Sequence, residues 1–444
     1  MALRATGIPE PEAYDLEGSE ESLERLRRYA SEYGDFYRVF SPRRGSYTYV
    51  VNRPAAIKRI LLTNHHNYVK GVGTDQISIL LGHGIMTSNG EYWHRQRRML
   101  QPAFHRRVLT RFGPVIAAVT DACAQRWGER ARRGEPVNIT EEASALTLEI
   151  NLRAIFGSDL QLIRERFGSN PFDIVHTESK RDLRFAYRVR SLAALIRELI
   201  ARRRAHPEEQ HFDFFAMALA ARDRETGAVM TDRELVDEVL TLVVAGHETT
   251  ASTLTWTWYM LGRHPQVQEE LSASASALPL GRVPDIDEME AWSSGQKVIK
   301  ETLRLCPPGW IISRRALAAD VLLGEPIAAG TDIFISPYFV HRHPLHWASP
   351  ERFDPERFAE SSSAGRDRFA YIPFGVGPRH CIGEALAMYE IAMHLARLLA
   401  RFRLTPVDAS PPHVEARINY RLRSDLLMRV EALRPTAHKR ARPE

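Results

Sequence analysis

The stretch Phe374-Gly375-Val376-Gly377-Pro378-Arg379-His380-Cys381-Ile382-Gly383 sets one cysteine on a glycine-kinked loop directly ahead of a helix-forming segment. Amides at a helix start carry partial positive charge, and Arg379 stands two residues before the sulfur, so both favour the thiolate, the form that binds metal. A lone sulfur ligand suits haem iron, whereas zinc recruits several Cys and His at close spacing. Taken alone, though, such a residue is more often a buried, inert cysteine at a turn. A second constellation, Ala245-Gly246-His247-Glu248-Thr249-Thr250, places an acid beside an alcohol inside a helical pattern. Gly and two threonines conflict with helix propensity there, and such conflicts often mark function. A hydroxyl bonded to a backbone carbonyl loosens a helix and holds water, while the neighbouring carboxyl relays protons; Thr249 alone reads more readily as a back-bonded structural residue. Trp93 and Arg97 lie four apart on one helical face and can reach one anionic group, or serve merely as a core ring and a surface charge. Glu301 and Arg304, three apart, can pair directly.

The pattern Phe-x-x-Gly-x-Arg-x-Cys-x-Gly resembles the haem-binding loop of the cytochrome P-450 superfamily, with every defining position filled. The resemblance implies that Phe374 and Gly377 shape the loop, Arg379 pairs with a haem propionate, Cys381 is the axial iron ligand and Gly383 permits close helix packing. It also assigns Trp93 and Arg97 to a propionate. Arg315, in Ser313-Arg314-Arg315-Ala316, matches the family's other propionate arginine by position, with Arg314 an acceptable substitute. Ala245 lies at the cofactor in this reading, and Glu248 with Thr249 forms the catalytic proton relay. Glu301, Arg304 and Arg357 form a structural network whose loss prevents haem incorporation. His247 reads as a packing or hydrogen-bonding residue, since Cys381 already accounts for the axial position.

Elements must position these groups. Ser22 to Tyr33 reads as a helix, followed by strands at Asp35 to Arg38 and Tyr47 to Val51 and a helix from Pro54. Tyr68 to Asn89 reads as a long irregular loop that lines a site or moves. Thr231-Asp232-Arg233-Glu234 is a capping box opening a helix that runs to Gly262, about 50 Å at 1.5 Å per residue. Leu160 to Ala205 reads as two helices with a mobile connection, the substrate lid of the family. Glu384 to Phe402 is a buried helix, and Ile418 to Met428 returns to the small sheet.

With 444 residues, 44% hydrophobic and 26% charged, the composition is that of an ordinary globular protein with a sizeable core. No linker-like or repeated stretch divides it, so residues 1–444 read as one domain, with 1–20 and 434–444 as flexible tails. No apolar run suggests an anchor or signal. Cys123, Cys306 and Cys381 give no disulfide framework, which fits a reducing cytoplasm. The net charge of +5 comes without a nucleic-acid motif; the basic Trp93–Arg98 and His105–Arg107 segments read either as the docking face for an acidic protein partner or, equally, as a solvated helix face.

The resemblance therefore implies a mainly α fold with a small β region, a triangular prism of helices around buried haem b (iron protoporphyrin IX). It implies a soluble, bacterial-type, monomeric monooxygenase that places one oxygen atom from O2 into a hydrophobic substrate. Electrons come from a ferredoxin or flavodoxin with its reductase, so NAD(P)H acts only indirectly. The apolar segments Gly71 to Met86, Leu160 to Ala205 and Pro308 to Ile312 suggest a lipophilic metabolite, and Pro308-Gly309-Trp310 resembles bacterial terpene hydroxylases. A haem-thiolate isomerase, dehydratase or peroxygenase, or a non-enzymatic haem sensor, stays open as an alternative, although each leaves the Glu248-Thr249 pair without a task.

Overall fold

Thr231 accepts from the amide of Glu234 and the Glu234 carboxylate reaches back to the Thr231 amide, a complete capping box that opens the helix Asp232–Arg263. In this computed structural model, which describes residues 7–174, 183–408 and 410–433, that helix is the axis of the molecule. Leu235, Val239, Leu240, Val243 and Leu254 are fully buried along it, each stabilising the fold by roughly 1.5–3 kcal/mol. The helices Ile139–Phe156, Ser293–Leu305, Leu183–Ala205 and Glu384–Leu399 pack against it. The architecture is the helical one expected, with a small β region to one side.

The larger sheet runs in the order Phe36–Ser41, Ser46–Val51, Asp332–Ile335, Ile312–Ala316, Tyr68–Lys70. All pairings are antiparallel except Ser46–Val51 with Asp332–Ile335. Lys70 lies opposite Arg314, so those two side chains share a face while Arg315 points to the other.

Three expectations change here. The segment 68–89 is not irregular throughout, because it contains the strand Tyr68–Lys70 and the helix Thr74–Leu81. The stretch 418–428 does not join the larger sheet: Tyr420–Leu422 forms a hairpin with Val414–Ala416, and Leu427–Ala432 pairs with Phe402–Pro406 and Val137–Asn138. Residues 7–19 are not a flexible tail. Ile8 and Leu16 are buried, and the Arg38 and Tyr14 amides donate to Pro9 O and Phe40 O, which ties the segment to the first strand. Residues 1–6, the tail 434–444 and 175–182 of the expected lid lie outside the described residues; around the last, Asp159–Phe167 and Leu183–Ala205 are helical.

Candidate functional site

Cys381 sits where the loop 374–383 meets the helix Glu384–Leu399, and the Cys381 amide closes the loop by donating to Phe374 O at 2.9 Å. Gly377 is obligatory there. Its φ is +78°, and an added Cβ would lie 1.9 Å from Leu61 O. At Gly383 an added Cβ would meet only Phe104 at 3.9 Å, so close packing against protein does not require this glycine.

The sulfur is exposed although the protein surrounds it: burial is the largest influence on the thiol and pushes its pKa up. Amides of Gly383 and Glu384 and the charge of Arg97 pull the other way. The net shift is opposite to that expected from the helix start alone, because desolvation outweighs the amides, and the nearby cation is Arg97 rather than Arg379. A metal ion at the sulfur reverses this balance by taking the thiolate form.

Cations without carboxylate partners gather beside this loop. Among the described residues none of Lys70, Arg97, Arg314 and Arg379 has an acid within ion-pair distance. Burial pushes Arg314 down to about 10, and burial with Arg314 does the same to Arg379. Burial, then Arg314 and Arg379, push Lys70 down to about 7. The Arg314 guanidinium reaches only Ser313 O. Arg97 Nη1 donates to His380 O at 3.0 Å. The Arg379 guanidinium lies 4.3 Å over the buried Trp93 ring, and its Nη1 has no hydrogen-bond partner. Asn89 ties the group together, its Oδ1 accepting from the Lys70 amide and from Arg379 Nη2, both at 3.0 Å. Buried cations lacking acids are costly, and a doubly anionic ligand relieves that cost. The donor set thus fits a haem, whose two propionates the cations would neutralise and whose iron the thiolate would hold.

Arg315 does not belong to this set. Strand alternation turns it outward, where it pairs with Asp332 at 2.9 Å, while Arg314 faces Lys70. Sequence reading missed Lys70 and Asn89 because their relation to Arg314 and Arg379 arises only from strand pairing across the sheet.

Thr249 donates to Ala245 O at 2.9 Å, the i−4 bond that the sequence suggested. Thr253, Thr255 and Thr257 do the same one or two turns on, so the bond by itself does not single Thr249 out. The distinguishing feature is across the helix. Asn151 Nδ2 donates to Leu242 O and Val243 O at 3.1 and 2.9 Å, and an added Cβ on Gly246 would lie 2.8 Å from Asn151 Oδ1. Glu248 is buried; its Oε2 accepts from Asn419 at 2.9 Å and its Oε1 lies 3.8 Å from Arg421, which also pairs with Glu415. His247 is a packing residue bonded to Ser144.

Glu301 and Arg304 form a two-pronged ion pair at 2.7 and 2.9 Å, both fully buried, with Arg357 Nε 3.3 Å from the same carboxylate. Trp310, in the apolar segment 308–312, lies in the core, buried with its indole N–H on Arg417 O. The basic segments are largely spent within the protein: Arg95 pairs with Glu234, Arg98 with Asp223 and Glu225, and Arg106 with Asp287 and Glu290. No helix among the described residues is long and apolar enough to cross a membrane.

The cytochrome P-450 family profile matches residues 13–422. Cyclooctatin synthase of Streptomyces melanosporofaciens is 32% identical over 378 residues, covering 82% of this chain and 82% of the relative. Pentalenene oxygenase of Streptomyces avermitilis is 31% identical over 373 residues, 80% of this chain and 82% of that one. The crystal structure of the cytochrome P450DA heme domain superposes with a TM-score of 0.84 at 25% identity, over 96% of this chain and 98% of the other. A thiol loop facing acid-free cations, carried on this fold and matched along most of its length, places the chain in the cytochrome P-450 family, as a haem-thiolate monooxygenase that inserts one atom of O2 into a lipophilic small molecule with electrons from a redox partner.

Proposed function

We propose that the cofactor is haem b, which Cys381 would hold through its iron, with Lys70, Arg97, Arg314 and Arg379 neutralising its propionates and Trp93 supporting Arg379. The observation that carries this reading is the set of buried and half-buried cations without acids beside an accessible sulfur. A haem held there would supply the two-electron activation of dioxygen. The protein's own part is positioning and proton supply. Thr249 Oγ1 is the last hydroxyl of the relay, its bond to Ala245 O loosening the helix there, and Glu248 feeds it. Asn419 holds the Glu248 carboxylate in place, and the partly exposed Arg421–Glu415 pair connects it to the protein surface. The electrons come from a ferredoxin or flavodoxin, and NAD(P)H acts through its reductase. The buried free thiols Cys123 and Cys306 suit a reducing cytoplasm.

Arg314→Leu is expected to weaken haem retention by about 10- to 100-fold, the usual effect of losing a partner that orients a bound metal group. Arg315→Leu leaves it near wild type. The absorbance ratio of haem to protein after gel filtration and apo-myoglobin competition reads both, and the reverse order of the two variants overturns the assignment.

The substrate is a cyclic terpenoid. Two relatives matched along four-fifths of this chain are a cyclooctatin synthase and a pentalenene oxygenase, which supports that class. Titration of the ferric protein with cyclic sesquiterpene and diterpene hydrocarbons is expected to shift the Soret band toward the high-spin form, with saturated fatty acids inert. A shift with fatty acids and none with the terpenes reverses the proposal.

A further inference from the structure

Asp237 and Glu238 are adjacent carboxylates on the long helix, 1% and 0% exposed, and the reaction described above uses neither. Both point at a neighbouring segment. The helix Thr74–Leu81 ends at Gly82, whose φ of 69° is left-handed, and residues 82–88 fold back on themselves. Thr87 Oγ1 donates to Gly82 O at 2.7 Å, and the Thr87 and Ser88 amides donate to Gly84 O at 3.1 and 3.0 Å. Those internal bonds tie residues 82–88 into one unit.

Two carboxylates fasten that unit to the long helix. The His83 amide donates to Asp237 Oδ2 at 2.9 Å and the Ile85 amide to Glu238 Oε2 at 3.0 Å. Backbone rests directly on helix: an added Cβ on Gly84 would lie 2.3 Å from Thr241 Oγ1 and 2.9 Å from Asp237 O. The second oxygen of Asp237 serves a third element. Arg190 Nη1, from the helix Leu183–Ala205, reaches Asp237 Oδ1 at 2.6 Å.

Burying neighbouring carboxylates is an expensive way to hold a loop that apolar contacts could hold. Burial pushes Glu238 up to about 8 against the Ile85 bond, with Asp237 and Glu234 adding to the rise. The loop borders a cavity of about 650 Å³ whose lining includes Lys70, Thr74, Ser78, His83, Thr87 and Asp237, so solvent reaches close to the fastening carboxylate.

We propose that Asp237 is a positioning residue that couples the helix Leu183–Ala205 to the loop 82–88, so that these two walls of the substrate chamber release together, with Glu238 as a second fastener for the loop alone. The proposal rests on the reading of these segments as chamber walls. Its logic is that one carboxylate cannot keep both bonds when either wall departs: loss of Arg190 frees Asp237 to turn toward water and weakens its hold on the His83 amide.

The test is hydrogen exchange on the haem-loaded protein, together with stopped-flow dissociation of 4-phenylimidazole followed in the Soret band. Arg190→Ala is expected to speed exchange across residues 82–88 by about tenfold, although Arg190 bonds only to Asp237 there, and to raise the 4-phenylimidazole dissociation rate several-fold. Asp237→Asn, which keeps an acceptor but loses the ion pair, gives the same two changes. The double variant exceeds neither single one, as two members of one coupled unit must. Unaltered exchange at 82–88 in Arg190→Ala, or full additivity in the double variant, overturns the coupling. Glu238→Gln, which keeps the acceptor, holds the loop near its wild-type rate. The carbon monoxide spectrum of the reduced protein separates the two levels of argument: its loss in the wild type sinks the haem-thiolate reading, while a normal spectrum with uncoupled exchange sinks the latch alone.

Discussion

Cys381→Ala yields a folded protein that lacks the red-shifted carbon monoxide Soret band of thiolate-ligated haem and has monooxygenase turnover more than about 100-fold below wild type. That exceeds the roughly 10- to 100-fold typical of losing a partner outside the coordination shell, because here the ligand itself goes. Folding is spared for a geometric reason. The loop is closed by the Cys381 backbone amide on Phe374 O and by Gly377 against Leu61, neither of which uses the sulfur. The side chain is exposed, so its truncation opens no core cavity. Optical spectra under carbon monoxide, thermal melting of the apo-protein and product formation with a reconstituted reductase measure the three parts. An unchanged Soret band in Cys381→Ala overturns the assignment of the ligand, whatever the activity does.

What could be read from the chain depended on whether the interaction was local. The capping box at Thr231, the span of the long helix and the Thr249 bond to Ala245 all lie within four residues of their partners, so spacing reveals them. Gly377 is required by contact with Leu61, far away in sequence, yet the kink it permits is local and visible. Arg314 and Arg315 show the opposite case. Each is an arginine in a short strand, and only its pairing with Lys70 and Asp332 decides which faces the haem side. One residue of register exchanges the two. Lys70, Asn89, Asn151, Asn419 and Arg421 carried no signal for the same reason, since every partner that gives them a role is distant along the chain. The shift of the sulfur runs opposite to the local expectation because a helix start can be recognised locally, whereas the burial that outweighs it is a property of the whole fold.

Glu301→Ala is expected to remove about 3–5 kcal/mol of stability, a large part of the 5–15 kcal/mol that a native protein typically has, and to leave little haem-loaded protein. Removing the carboxylate strands Arg304 in a site with no solvent access. For an isolated buried pair, substituting both partners with apolar residues is often neutral, so Glu301→Leu with Arg304→Met should then restore stability. This network predicts the contrary. Arg304 also donates to His341 O, Pro350 O and Arg352 O at 2.9, 2.6 and 3.1 Å, and Glu301 accepts from the Asp354 amide at 2.8 Å. Those backbone groups lose their partners in the double variant, each at a cost of about 1–3 kcal/mol where water cannot replace the bond. Urea denaturation of the apo-protein compares the variants, and recovery of the double variant to wild-type stability would show the pair to be an ordinary ion pair. Arg357→Ala is milder, because its guanidinium serves Ala348 O and Ser349 O at the edge of the network, where water can take over. The reach of the network to the thiol loop is short: the Arg304 guanidinium holds the His341 carbonyl, and the His341 ring, pushed down to about 3 by burial and so neutral, accepts the Ile372 amide at 2.8 Å, two residues before Phe374. Breaking the ion pair therefore loosens the strand of chain that presents Cys381, and haem loss follows from a lesion that touches no haem-site residue.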